Sequence, residues 1–140
     1  DILEHIDDDA LFLRKYVDML NTGSHVIISV PAFQFLWSEH DTFLEHKRRY
    51  SLAQLENVVK KSGLKTHTIF YYFSTVLPIA VLTRFISYSR YFGKKKGSSQ
   101  LTKHNAITNA LLKALCTMEL FWMRKNRIGG LSVLCLAEKR

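Results

Sequence analysis

The side chains able to do chemistry crowd into two stretches, Val30 to Tyr50 and the shorter Asp1 to His5. The longer one holds Trp37, His40, Asp41, His46, Lys47, Arg48, Arg49 and Tyr50 within twenty-one positions. Histidine is the side chain best tuned to accept a proton near neutral pH, so His5 is the first candidate base and His40 the second. His5 could equally cap or hydrogen-bond nearby backbone. Arg48 and Arg49 carry guanidinium forks that match phosphate or carboxylate groups, with Tyr50 beside them. Either arginine could instead bridge to Asp41 or Glu45 and hold the stretch in shape. Trp37, Phe33 and Phe35 read as packing the stretch down rather than stacking on a substrate.

These groups need elements to hold them. His25 to Val30 is a β-branched run suited to a strand buried on both faces, and Pro31 ends it. Ser51-Leu-Ala-Gln54 has capping-box spacing, and Leu52, Leu55, Val58 and Val59 form one apolar helical face closed by Gly63. The connection between that strand and that helix is about twenty residues, a length more often functional than idle in a compact domain. Upstream, Asp1 to Ile6 reads as the end of a buried strand. Asp7-Asp8-Asp9 caps a helix running to about Leu20, and Gly23 follows its end. Downstream, Leu64 to Phe73 reads as a strand. Thr75 to Phe92 and Asn105 to Lys125 form a helical hairpin, and Leu131 to Ala137 a last strand. Alternating strands and helices imply an α/β sheet covered on both faces, incomplete because only three full strands are present.

The chain has 140 residues, 47% hydrophobic and 23% charged, ordinary values for one folded domain. Cys116 and Cys135 share no motif spacing, which suggests a reducing compartment. No signal peptide is evident. The chain starts at Asp1 inside an apolar-acidic motif, which reads as a beginning cut into a longer protein. Its net charge of +8 is unevenly spread: residues 1–56 sum to −5 and residues 57–140 to +13. That asymmetry points the second half toward an anionic partner. From Arg84 to Lys103 six Lys/Arg and no acid lie among aromatics, a pattern suited to an anionic membrane interface. A core-packed hairpin with a solvated basic turn is the plainer alternative. No RNA- or DNA-binding motif is present, so nucleic acid is not expected. The uncharged run Thr66 to Thr83 is at the lower margin for a membrane span and begins in a strand, so no span is expected.

The order of motifs resembles the second half of a class I S-adenosylmethionine-dependent methyltransferase. The carriers are Asp1-Ile-Leu-Glu-His-Ile6, then Leu20-Asn-Thr-Gly23 before a strand ending Val30-Pro31. Val30-Pro-Ala-Phe33, Leu36-Trp-Ser38, His40-Asp41, His46 and Arg48-Arg-Tyr50 resemble a subgroup with a long loop here. Gly130 to Ala137 resembles the family's last, antiparallel strand. The resemblance implies a partial doubly wound, Rossmann-like sheet over residues 1–140, with a helical hairpin inserted at about 75–125. It implies that Asp1, Ile2 and Leu3 sit beside the methyl donor, with Glu4 and His5 at the cleft mouth. Trp37, Asp41, His46, Arg48, Arg49 and Tyr50, with Glu4, would shape and bind the acceptor. Asp1, Glu4 and His5 share an acid-x-x-acid-His spacing that resembles a divalent-metal site of some methyltransferases, and His40, Asp41 and His46 add ligand types. No spacing matches a closed structural metal site, and none is assigned.

The family's Gly-rich loop and ribose-binding acid have no counterpart in these residues. S-adenosylmethionine would therefore be held mostly by residues outside this chain, and the 140 residues alone are expected to be inactive. The functional expectation is a cytoplasmic, peripherally membrane-associated methyltransferase portion acting on an anionic or lipid-linked acceptor. The alternative is a non-catalytic anion- or membrane-binding module on a truncated methyltransferase scaffold. An exposed sheet edge would make the fragment prone to self-association.

Overall fold

The computed structural model describes residues 1–90 and 105–140, with backbone only for 86–90. Helix α1 spans Asp9–Asp18, α2 Glu39–Phe43, α3 Leu52–Lys61, α4 Leu77–Arg90 and α5 Ala106–Glu119. Strands β1 (His25–Pro31), β2 (Leu64–Tyr72) and β3 (Ser132–Lys139) make one sheet in the order β1-β3-β2. Both outer strands are antiparallel to β3, so β1 and β2 run parallel to each other and end at the same edge. There Pro31 and Tyr72 both face Ser132. The protein is thus a mixed α/β fold on a small antiparallel sheet.

Local chemistry explains each helix start. Asp8 accepts the Leu11 N–H at 3.0 Å as the cap of α1. At α3, the Ser51 and Gln54 side chains each receive the other's backbone N–H, at 3.3 and 2.8 Å. Asn105 caps α5 through Thr108 N–H. Gly63, at φ 88°, ends α3 in the left-handed region that an L side chain resists. The core lies between the sheet and α1 and α3, where Leu13 and Val17 meet Leu55, Val58 and Val59 above Ile28, Val133 and Cys135. Each such aliphatic side chain contributes about 1.5–3 kcal/mol when fully buried. Burial pushes the Cys135 thiol up to about 11. Both cysteines are free.

Three expectations need correction. Asp1 to Ile6 is not a strand end: Leu3–His5 is a 3-10 turn, and Ile2 is 58% exposed. Strand β1 is not buried on both faces, since Ile27 is 71% exposed. It lies at the sheet edge, and the helices that make the core cover only the face carrying Ile28 and Val30. The doubly wound sheet covered on both faces is therefore not what is seen among the described residues. The second hairpin helix is also shorter than its apolar stripe. It ends at Glu119, because the chain must turn through Met123–Lys125 to bring Asn126 beside β2. There Tyr71 N–H donates to Asn126 O at 2.9 Å, and Asn126 Nδ2 donates back to Tyr71 O at 3.1 Å. No helix among the described residues is long and apolar enough to cross a membrane.

Gly130 is required for a close approach rather than a turn. A Cβ there would lie 2.3 Å from Tyr72 O, at the point where Leu131 N–H donates to that same carbonyl.

Candidate functional site

The loop leaves β1 at Ala32 and returns at Tyr50, and the two ends are clamped together by a parallel bridge. Tyr50 N–H donates to Pro31 O at 2.8 Å and Phe33 N–H to Tyr50 O at 3.0 Å. The connection is therefore closed at its base, with the short α2 inside it. It stands at the carboxyl ends of β1 and β2, beside the start of β3.

Asp41 organises it. The side chain is fully buried and accepts five hydrogen bonds. Arg49 grips both oxygens, Nε at 2.8 Å and a terminal nitrogen at 3.0 Å. Ser38 contributes its N–H and hydroxyl, each at 2.8 Å, and His46 Nδ1 lies at 2.9 Å. Burial alone would raise the carboxyl, but the hydrogen bonds from Arg49, His46 and Ser38 outweigh it and hold it below the usual range. An ionised carboxylate has no proton to give, so the hydrogen of this contact sits on His46 Nδ1. Arg49 also donates to Ala32 O at 3.0 Å, tying the network to the strand end.

A second network joins the loop to the N-terminal turn. Tyr50 is 2% exposed, and its hydroxyl lies 2.8 Å from Asp9 Oδ2 and 3.1 Å from Leu3 O. Burial first, then the Asp9 carboxylate, push the phenol far above its ordinary value, so it remains a donor at all working pH. Arg48 spans Asp9 Oδ2 at 3.3 Å and Asp7 O at 2.8 Å. Lys47 pairs with Asp7, and its N–H donates to Glu4 O at 2.7 Å.

These contacts sort the predicted site residues. Asp41 and Tyr50 are buried and fasten the loop. Arg49 is taken up by Asp41 and Ala32, and Arg48 by Asp7 and Asp9. Both arginines thus take the loop-holding alternative. Trp37 is half-buried and reaches Thr42 Oγ1 at 3.3 Å. Phe33 stacks on Tyr71 with centroids 4.7 Å apart, and Phe35, though 65% exposed, rests against Phe33 at 5.1 Å. Leu3 is a core residue, while Asp1 and Ile2 are exposed. His40 lies on α2 with a buried, unpartnered Nδ1. Glu4, His5 and His46 do come together: the two imidazoles meet edge to face at 4.7 Å, with Glu4 beside them. The basic segment 84–103 lies largely outside the described residues.

Two clefts flank the loop. One of about 330 Å³ is lined by His5, Asp7, Asp8 and Lys47 among others. The other, about 260 Å³, opens at the strand ends between Arg49, Phe73, Arg84 and Leu131. Burial, and then the Arg49 charge, depress the Arg84 guanidinium's pKa, while its Nε donates to Leu36 O at 3.3 Å. Phe33 and Phe73, which follow β1 and β2, both sit at positive φ, 57° and 59°. Bulky residues are rare there, and such strain concentrates near functional sites.

Sequence reasoning missed Glu119. It is 2% exposed and accepts from the N–H and hydroxyl of both Ser74 and Thr75, at 2.7–3.4 Å, fastening the end of α5 to the start of α4. Its signal was present, since it is one of only two acids after residue 56 and sits in an apolar helix. No protein-family model matches the chain, and no curated protein matches it.

Proposed function

We propose that this chain is the acceptor-side portion of an S-adenosylmethionine-dependent methyltransferase. The observation that carries the reading is the long clamped connection at the carboxyl ends of β1 and β2, bearing the motifs that resemble the family. The antiparallel last strand β3 agrees with the same resemblance. Methyl transfer needs the acceptor aligned in line with the sulfonium and, for an oxygen or nitrogen acceptor, a base. His5, on the edge of an open cleft, is the group suited to take that proton. The donor rests mostly on residues outside this chain. Calorimetric titration of the complete gene product with the methyl donor tests the reading: saturable binding supports it, and no binding removes it.

A second reading is favoured by the hairpin surface. Ile79, Leu82 and Phe85 on α4, with Ile107 and Leu111 on α5, are 55–81% exposed, and Phe121 is 88% exposed. Exposed apolar side chains within a strongly basic half suit an anionic lipid surface. They support a lipid-linked acceptor for the enzyme, or a membrane-binding module without catalysis. Co-sedimentation with vesicles, with and without anionic lipid, tests this surface. Donor binding then separates enzyme from module.

A further inference from the structure

We propose that Glu4, His5 and His46 form a binding site for a divalent first-row transition ion of zinc-like ligand preference. One ligand atom from each lies within 4.8 Å of the other two. Glu4 is 1% exposed, and its Oε2 is buried without a hydrogen-bond partner. Buried carboxylates are found paired or bound to metal because a bare one is costly, so this oxygen is what the site leaves for a cation. The contrast with Asp41, which has five donors, is direct.

His46 supplies the second, independent observation. Its Nδ1–H is committed to the Asp41 carboxylate at 2.9 Å, so Nε2 is the ring nitrogen left to meet a cation. A carboxylate behind a histidine is the usual support of a metal-ligating imidazole, setting ring orientation and raising basicity. Arg49 and Ser38 hold that carboxylate in turn. The Lys47 N–H to Glu4 O bond stitches together the two chain segments that carry the ligands. Much of the site is therefore positioned before any ion arrives.

Two imidazoles and one carboxylate leave coordination positions open, as catalytic zinc sites do. Imidazole favours zinc, cobalt or iron over magnesium or calcium. Bonds of about 2.0–2.1 Å would place tetrahedral ligand atoms about 3.3 Å apart, so binding draws the three side chains inward. Asp7 and Asp8, which line the same cleft as His5, add negative potential, and Lys15 and Lys47 oppose it. The inference does not depend on the methyltransferase reading. With an ion bound, His5 is a ligand, and acidifying a bound oxygen passes from it to the metal.

A second cluster, His25, His67 and Glu138, provides the control. It is solvent-accessible, at the other end of the sheet, and Glu138 is already paired with His67. The experiment titrates the chelator-stripped chain with cobalt(II), followed by visible absorption, and with zinc(II), followed by calorimetry. One ion per chain is expected. Glu4→Gln and His46→Ala should each weaken binding at least about 10-fold, and His67→Ala should not. Because His46→Ala also disturbs Asp41, Glu4→Gln is decisive. Without metal it should melt no lower than the native chain, and with zinc it should lose the rise in Tm that the native chain shows. Absence of saturable binding overturns the proposal. So does binding that survives Glu4→Gln and disappears in His67→Ala.

Discussion

The loop from Ala32 to Tyr50 and the helical pair α4–α5 are each fastened by one buried carboxylate, Asp41 in the first and Glu119 in the second. Asp41 faces a guanidinium, an imidazole and a serine of its own loop, so the whole segment closes around it. Glu119 binds only the neutral donors of Ser74 and Thr75 at the base of the pair. Beyond that base the helices turn apolar residues outward, Ile107 at 81% exposure and Phe85 at 77%. One region is closed around a polar network, while the helices of the other turn apolar side chains to solvent. Such a network suits the positioning of reacting groups, whereas an outward apolar face suits docking.

The strongest way to break this contrast is Asp41→Ala. It strands the Arg49 guanidinium, which is only 12% exposed, and should cost about 3–5 kcal/mol in chemical denaturation. A loss below about 1 kcal/mol would mean the loop is not held by this network. Glu119→Ala should cost about 2–3 kcal/mol by leaving the Ser74 and Thr75 donors unpaired. Its mark should be local: faster amide exchange in α5 with the sheet unchanged. Uniform acceleration everywhere would show that the hairpin is not an independent unit. Tyr50→Phe keeps the packing and removes one hydrogen bond to Asp9, for a cost of about 1.5 kcal/mol read as a lower Tm. The smallest stability effect belongs to the outward face. Phe121→Ser with Ile107→Ser should change stability by no more than about 0.5 kcal/mol while weakening adhesion to anionic vesicles. Unchanged adhesion would remove the docking role.

The same comparison has a pH form. Asp41 is depressed in the fold, so its stabilisation is complete above its ordinary value of 3.8 and is lost as pH falls below that value. Acid titration should therefore loosen the loop in that range, and Asp41→Asn should flatten the dependence. The exposed pairs Asp7–Lys47 and Glu138–His67 titrate in the same direction, but salt screens them and leaves the buried network largely intact. Repeating the titration at high salt isolates Asp41.

Much of the framework was legible because it is local. The Asp8 cap, the Ser51–Gln54 box, the 3.6-residue stripe of α3 and the β-branched runs each act within a few residues. They predicted α1, α3 and the cores of the three strands. What failed was decided at longer range. Ile27 belongs to a β-branched run but faces outward, because it points to the face opposite Ile28 and Val30, away from α1 and α3. The Arg49–Asp41 pair is local and was one of the two roles open to that arginine, whereas the Tyr50 hydroxyl meets Leu3 and Asp9, 47 and 41 positions away, a matter of three-dimensional reach. Sequence alone determined the capped starts of α1 and α3, and that reactive groups concentrate between Val30 and Tyr50; the short α2 inside that stretch was not foreseen. Only tertiary structure decided that Asp41 is satisfied and Glu4 is not. Asp41 finds its donors within eight positions, but its burial and that of Glu4 depend on packing between distant segments, and no local pattern carries that information.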